Sequence, residues 1–180
     1  VPVNYGGIGM VMGHELSHGF DDQGRKFDGK GNLANWWSDA AAAQFATRAQ
    51  CVANQFDEFT VVNGTHLNGK QALGENIADL AGLKLAFHAM KAKNKSPSAP
   101  ADATKDEFTP EQAFFINFAQ SWCQLTRDDY ALNQVKADVH SPPQFRVNGP
   151  LSNLTEFQQA FSCGPGSPMV RPPEKRCEIW

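Results

Sequence analysis

The sequence predicts a mainly α-helical fold with two or three short strands, and three observations carry that prediction. Apolar residues recur at helical spacing over long segments, capping residues stand ahead of several of them, and the β-prone stretches are short and closed by turn formers. In chain order, the first helix is expected over about Gly7 to Gly19, with Ile8, Val11 and Met12 as an apolar stripe and Gly19 as a stop. The runs Asp21-Asp22-Gln23-Gly24 and Asp28-Gly29-Lys30-Gly31-Asn32 are dense in turn residues, so Arg25 to Phe27 reads as a short strand or loop between two turns. Ser38 is a good N-cap for a second helix, Ala40 to Phe56, in which Phe45, Cys51, Val52 and Phe56 can share a buried side.

Phe59 to Val62 is β-prone and ends at the turn Asn63-Gly64. A third helix is expected from about Gln71 to Lys93, with a lysine-rich end that suits the negative pole of the helix dipole. Ser96 to Asp106, rich in Pro, Ala and Ser, reads as a surface loop. Thr109-Pro110-Glu111-Gln112 has the form of a capping box with proline at the first helical position, launching a helix over Ala113 to Arg127. A last short helix, about Leu154 to Phe161, has Asn153 as its expected cap and ends at Cys163-Gly164-Pro165.

A length of 180 residues fits one domain, and 41% hydrophobic with 19% charged residues is enough apolar surface to form a core. The net charge of -3, with Lys and Arg scattered, gives no basic field for nucleic acid. No apolar run approaches the roughly 20 residues that span a bilayer, and no targeting signal is visible. Because Val1-Pro2-Val3-Asn4-Tyr5 leads at once into the densest motif, the chain is expected to be a piece of a longer protein, with any signal or anchor upstream. Cys51, Cys123, Cys163 and Cys177 never form C-x-x-C, which disfavours a zinc ribbon. Four cysteines allow three pairings if all close within the chain, and an oxidising compartment is compatible with them.

The densest motif is His14-Glu15-Leu16-Ser17-His18. Two imidazoles at i and i+4 project from one helix face and can reach a common ion, while Glu15 lies beside them. A zinc hydrolase needs this combination: nitrogens hold the metal, and a carboxylate outside the ligand set takes a proton from water. A second constellation, Gly74-Glu75-Asn76-Ile77-Ala78-Asp79, places two like charges at i and i+4 among Leu73, Ile77, Leu80 and Leu83. A solvent-facing acidic pair would explain them blandly. A cation would relieve both, with Glu75 as third zinc ligand and Asp79 accepting the outer N–H of a zinc-bound histidine. Three protein ligands leave a fourth position open, as a catalytic site requires. His66 and His88 stay open as further ligands by inspection.

With these residues in view, the chain resembles the neprilysin and endothelin-converting-enzyme family of zinc metallopeptidases. The likeness includes Gly6-Gly7-Ile8-Gly9, His14 to His18, Gly19 to Arg25, Trp36-Trp37, Leu67-Asn68-Gly69, Leu73 to Asp79, Asn117 to Cys123, Asp138 to Pro142 and Cys177 to Trp180. The long interval between His18 and Glu75 also suits this family better than thermolysin-like or aminopeptidase families, whose third ligand follows sooner. The resemblance implies a thermolysin-like zinc-peptidase helical subdomain, with residues 1–180 forming the C-terminal portion of the catalytic domain in a larger two-lobed ectodomain.

By the same resemblance, His14, His18 and Glu75 bind one Zn2+, Glu15 is the general base and Asp79 supports a zinc histidine. It further implies that His140 stabilises the oxyanion and that Arg146 binds a substrate backbone carbonyl. Without it, His140 reads as a loop residue and Arg146 as a surface cation. It implies a Cys51–Cys177 disulfide, and pairing of Cys123 and Cys163 with cysteines of an upstream half that this sequence lacks. The upstream strand that binds the substrate backbone in relatives is also missing. The implied activity is cleavage of internal bonds in oligopeptides with a hydrophobic residue after the scissile bond, in an extracytoplasmic setting: secreted, periplasmic or membrane-anchored. The alternatives are a non-catalytic zinc-bound peptide-binding scaffold, and a fragment inactive without its upstream half.

Overall fold

In a computed structural model that describes residues 1–94 and 108–180, the chain is mainly helical. The expected Ser96 to Asp106 loop lies outside the described residues. The chain enters through a short turn, α1 (Pro2–Asn4), and a π-helical stretch, Tyr5–Gly9, that kinks at Gly7 before α2 (Met10–Ser17). A 3-10 turn, His18–Phe20, closes α2, and a second, Gly24–Lys26, stands where a strand or loop is expected. Then come α3 (Asp39–Asp57), α4 (Leu73–Asn94), α5 (Pro110–Ser121), α6 (Asp128–Ala137), α7 (Pro143–Asn153) and α8 (Thr155–Ala160).

Two caps form as their sequence dictates. The Ser38 hydroxyl accepts the Ala41 N–H at the start of α3, and Thr109 with Gln112 completes a reciprocal capping box on α5. Around α4 the core closes: Ile77, Leu83 and Met90 are fully buried, α3 contributes Phe45, Val52 and Phe56, and α5 contributes Phe114, Phe115 and Phe118. Phe87 stacks on Phe115 with ring centroids 5.1 Å apart, so the α4–α5 seam is aromatic. The C-terminal segment returns to α3 through the Cys51–Cys177 disulfide. Arg48 donates to the Ile179 carbonyl at 2.8 Å, and Trp180 packs against Phe45 and Trp37. No described helix is long and apolar enough to cross a membrane.

Several expectations give way. Among the described residues no strand forms; the β-prone stretches reduce to the isolated bridges Phe27↔Leu33 and Thr60↔His66. Each is a tight reversal with no neighbouring ladder, and a lone two-stranded contact is not a stable sheet. The stripe Ile8, Val11 and Met12 is exposed, at 64%, 42% and 61%, while Met10, Gly13, His14 and Ser17 are buried. The polar side of α2 is the one that meets α4. The helix after Thr109 ends at Ser121 rather than Arg127, because Trp122 leaves helical geometry and its ring meets Arg146. Both α6 and α7 lie where no helix is expected from sequence. Asn153 does not cap α8: its Nδ2 donates to Gln55 and to the Gly149 carbonyl, and its Oδ1 accepts the Cys177 N–H.

Candidate metal centre

The site begins with a close helix crossing. A Cβ on Gly13 would stand 2.8 Å from the Gly82 carbonyl oxygen, and a Cβ on Gly82 would stand 2.4 Å from the His14 nitrogen. Only glycine at both positions lets the backbones of α2 and α4 approach this far. The approach sets His14 and His18 opposite Glu75 and Asp79.

The three expected ligand atoms converge. His14 Nε2 and His18 Nε2 are 3.1 Å apart, His14 Nε2 is 3.3 Å from Glu75 Oε2, and His18 Nε2 is 3.5 Å from Glu75 Oε1. A tetrahedral zinc with bonds of about 2.0–2.1 Å places its ligand atoms about 3.3 Å from one another. Each histidine nitrogen meets a different Glu75 oxygen at about that separation, and one ligand atom from each residue lies within 4.8 Å of the others. His14, His18 and Glu75 are the group among the described residues whose ligand atoms could share a metal ion. Their nitrogen and carboxylate chemistry suits zinc.

Each histidine is oriented from behind by its own aspartate. His14 Nδ1 stands 2.8 Å from the fully buried Asp79 Oδ1. His18 Nδ1 meets Asp21 Oδ2 at 2.7 Å, and Asp21 Oδ1 accepts the Gln23 and Gly24 N–H groups. Sequence reasoning placed Asp79 in this role but read Asp21 only as a turn residue. Its position three residues beyond His18 is the signal that could have found it. Burial opposes a proton on His14, yet the contacts with Asp79 and Glu75 outweigh it and push its pKa up to about 9. Burial likewise raises the Glu75 pKa, but His14, His140 and Arg146 more than offset it, and the net shift is downward.

Glu15 is exposed, and among the described residues no hydrogen bond or ion pair engages its carboxylate. His140 arrives from the α6–α7 link: its Nε2 is 3.1 Å from Glu75 Oε2 and its Nδ1 is 2.8 Å from Asp138 Oδ1. Arg146, on α7, is buried rather than a surface cation. Its Nε and Nη2 grip both oxygens of Asp79 at 2.7 Å, Nη2 also lies 3.4 Å from Glu75 Oε2, and the guanidinium carbon stands 4.1 Å over the Trp122 ring. For Arg146 Nη1 the described residues supply no partner. His66 and His88 are elsewhere: His66 contacts the Asp57 carbonyl and His88 pairs with Glu156. Cys123 and Cys163 form no disulfide within the chain.

The sequence model of peptidase family M13 matches residues 2–177. Over 99% of its length the chain is 48% identical to an endothelin-converting enzyme homolog of Locusta migratoria and 46% identical to neprilysin of Homo sapiens, covering 24% of each. It thus spans about a quarter of the length of the curated relatives it matches. It superposes with a TM-score of 0.92 on the zinc metalloprotease ZMP1 of Mycobacterium tuberculosis in complex with an inhibitor, at 40% identity, covering 99% of this chain and 28% of that one. Against PEPO from Lactobacillus rhamnosis the TM-score is 0.86 at 36% identity, covering 99% of this chain and 26% of that one.

Proposed function

This chain belongs to peptidase family M13, and from that premise we propose that it carries the zinc site and catalytic groups of an endopeptidase that hydrolyses internal bonds of oligopeptides. The observation that carries the reading is the convergence of one ligand atom each from His14, His18 and Glu75 within 4.8 Å of one another, with Glu15 outside that group. A zinc ion held by His14, His18 and Glu75 would supply Lewis acidity toward water and the scissile carbonyl. Glu15 accepts a proton from the attacking water and then delivers it to the leaving amine. His140 Nε2, oriented by Asp138, donates to the carbonyl oxygen as negative charge develops on it. Arg146 Nη1 donates to a substrate backbone carbonyl, while its other contacts hold Asp79 behind His14.

Residues 1–180 act in this reading as the C-terminal portion of the catalytic domain. Cys123 and Cys163 join an upstream half of the same protein through disulfides, and the setting is extracytoplasmic. Exposure of Cys123 and the closed Cys51–Cys177 bridge support that assignment. Glu15→Gln tests the mechanism: zinc content should be retained while peptide turnover falls roughly 10²- to 10⁴-fold. Substantial remaining turnover would overturn the role of Glu15. A second reading draws on the same quarter-length coverage of relatives and on the exposed apolar residues Ile8, Met12 and Leu16. In it the isolated chain binds zinc and peptide without turnover. Side-by-side assays of this chain and a full-length protein, with metal content measured, separate the two.

A further inference from the structure

Residues 138–142 join α6 to α7 and bring His140 to the metal centre, and two side chains, one just ahead of α4 and one in its first turn, hold this link. Gln71 Nε2 donates to the Asp138 carbonyl at 2.7 Å, and Ser141 Oγ donates to Asn76 Oδ1 at 2.9 Å. Between these anchors the His140 N–H and Nδ1 both meet Asp138 Oδ1, at 2.9 and 2.8 Å, which turns Nε2 toward Glu75. Glu75 and Asn76 are neighbours on one helix, so the group contacted by His140 and the group that anchors its loop move as one body.

Asn76 is fully buried and Ser141 nearly so, and Asn76 Nδ2 has no hydrogen-bond partner among the described residues. A buried amide left half satisfied is destabilising, and an apolar pair of similar shape would be at least as stable. Stability alone therefore gives no reason for this pair. Register does: one hydroxyl-to-amide bond fixes the residue next to His140 against the residue next to Glu75. We propose that Asn76, acting through Ser141, is a positioning residue that sets His140 against the metal centre. The inference rests on the reading of His140 as donor to the developing oxyanion.

The test compares Asn76→Leu/Ser141→Ala with the parent protein in its full chain, and Ser141→Ala alone guards against a misfolded double variant. The double variant should fold, keep its zinc content and melt no lower than the parent. Exchange of the His140 amide, read by NMR, should accelerate at least about tenfold in both variants. Turnover of a peptide substrate should fall by about tenfold or more in kcat with KM little changed. Unchanged His140 protection in both variants would overturn the proposal, as would a loss confined to melting temperature. If the parent binds zinc but has no turnover, the peptidase reading fails, and the exchange measurement still decides the role of Asn76.

Discussion

The helical face bearing His14, His18 and Glu75 and the segment bearing His140 and Arg146 meet at the same carboxylate by different physical means. The first is set by backbone: α2 and α4 touch through Gly13 and Gly82, and the ligands follow from helical spacing. The second is set by side chains: Gln71, Asn76 and Asp79 each grip one point of residues 138–146. A backbone contact has no soft degree of freedom, whereas side-chain hydrogen bonds can be lost singly. The metal ligands should therefore fail together, and the auxiliary groups one at a time.

The largest effect on zinc binding expected from this contrast comes from Gly82→Ala. Its methyl would lie 2.4 Å from the His14 nitrogen, so the helices must separate by displacing backbone rather than a flexible tip. Overpacking of this kind costs about 1–3 kcal/mol and can cost more. Zinc titration should show the stoichiometric site lost or weakened by orders of magnitude, with a lower melting temperature. A variant that binds zinc like the parent would show that the ligands tolerate a wider crossing, and the contrast between the two regions would lapse.

The two aspartates behind the histidines sharpen it further. Asp79→Asn removes the charge that Arg146 grips at both oxygens inside the protein, and breaking a buried pair by one partner costs about 3–5 kcal/mol. Asp21 is also buried, but among the described residues its carboxylate bonds only to His18 and two backbone N–H groups. Asp21→Asn can keep accepting from the backbone, so its effect should be confined to zinc affinity, about 10- to 100-fold. Calorimetric melting with zinc titration on both variants checks the ranking. Equal destabilisation would mean that the Arg146 clamp contributes nothing beyond orienting His14.

These differences also mark what was legible in the sequence. The i and i+4 spacings of His14 with His18 and of Glu75 with Asp79 are local, so a helix turns them directly into geometry. Caps at Ser38 and Thr109 are local too, and both form. The apolar stripe Ile8, Val11 and Met12 misled because periodicity identifies a helix face without saying which neighbour covers it. His140, Arg146 and Asn76 depend on contacts between α4 and residues far along the chain, which no local pattern encodes. Helix α7 carries Gly149 and Pro150 within it, residues that argue against a helix on propensity, and its packing overrides them. The burial of Arg146 was invisible for the same reason: a buried guanidinium needs a carboxylate and an aromatic face that only the fold supplies.

The smallest expected effect is graded with pH and belongs to the ligand face alone. In the metal-free chain burial opposes a proton on His14, but Asp79 and Glu75 outweigh it and raise its pKa from 6.5 to about 9. A group whose folded pKa lies above its unfolded value contributes stability that is fully present below the unfolded pKa and is lost as pH rises through the folded one. The metal-free protein should therefore lose that contribution between about pH 6.5 and 9. Zinc needs the neutral imidazole, so binding within this window releases a proton from His14, and apparent affinity should climb with pH until about 9. Melting curves with and without zinc across the window check both signs: the zinc-induced rise in Tm should widen as pH increases. The Ser141→Ala variant should show the same widening, because Ser141 touches Asn76 and not His14. If that variant flattens the pH response, the loop is coupled to the ligand face through Glu75 more tightly than their separate means of support imply.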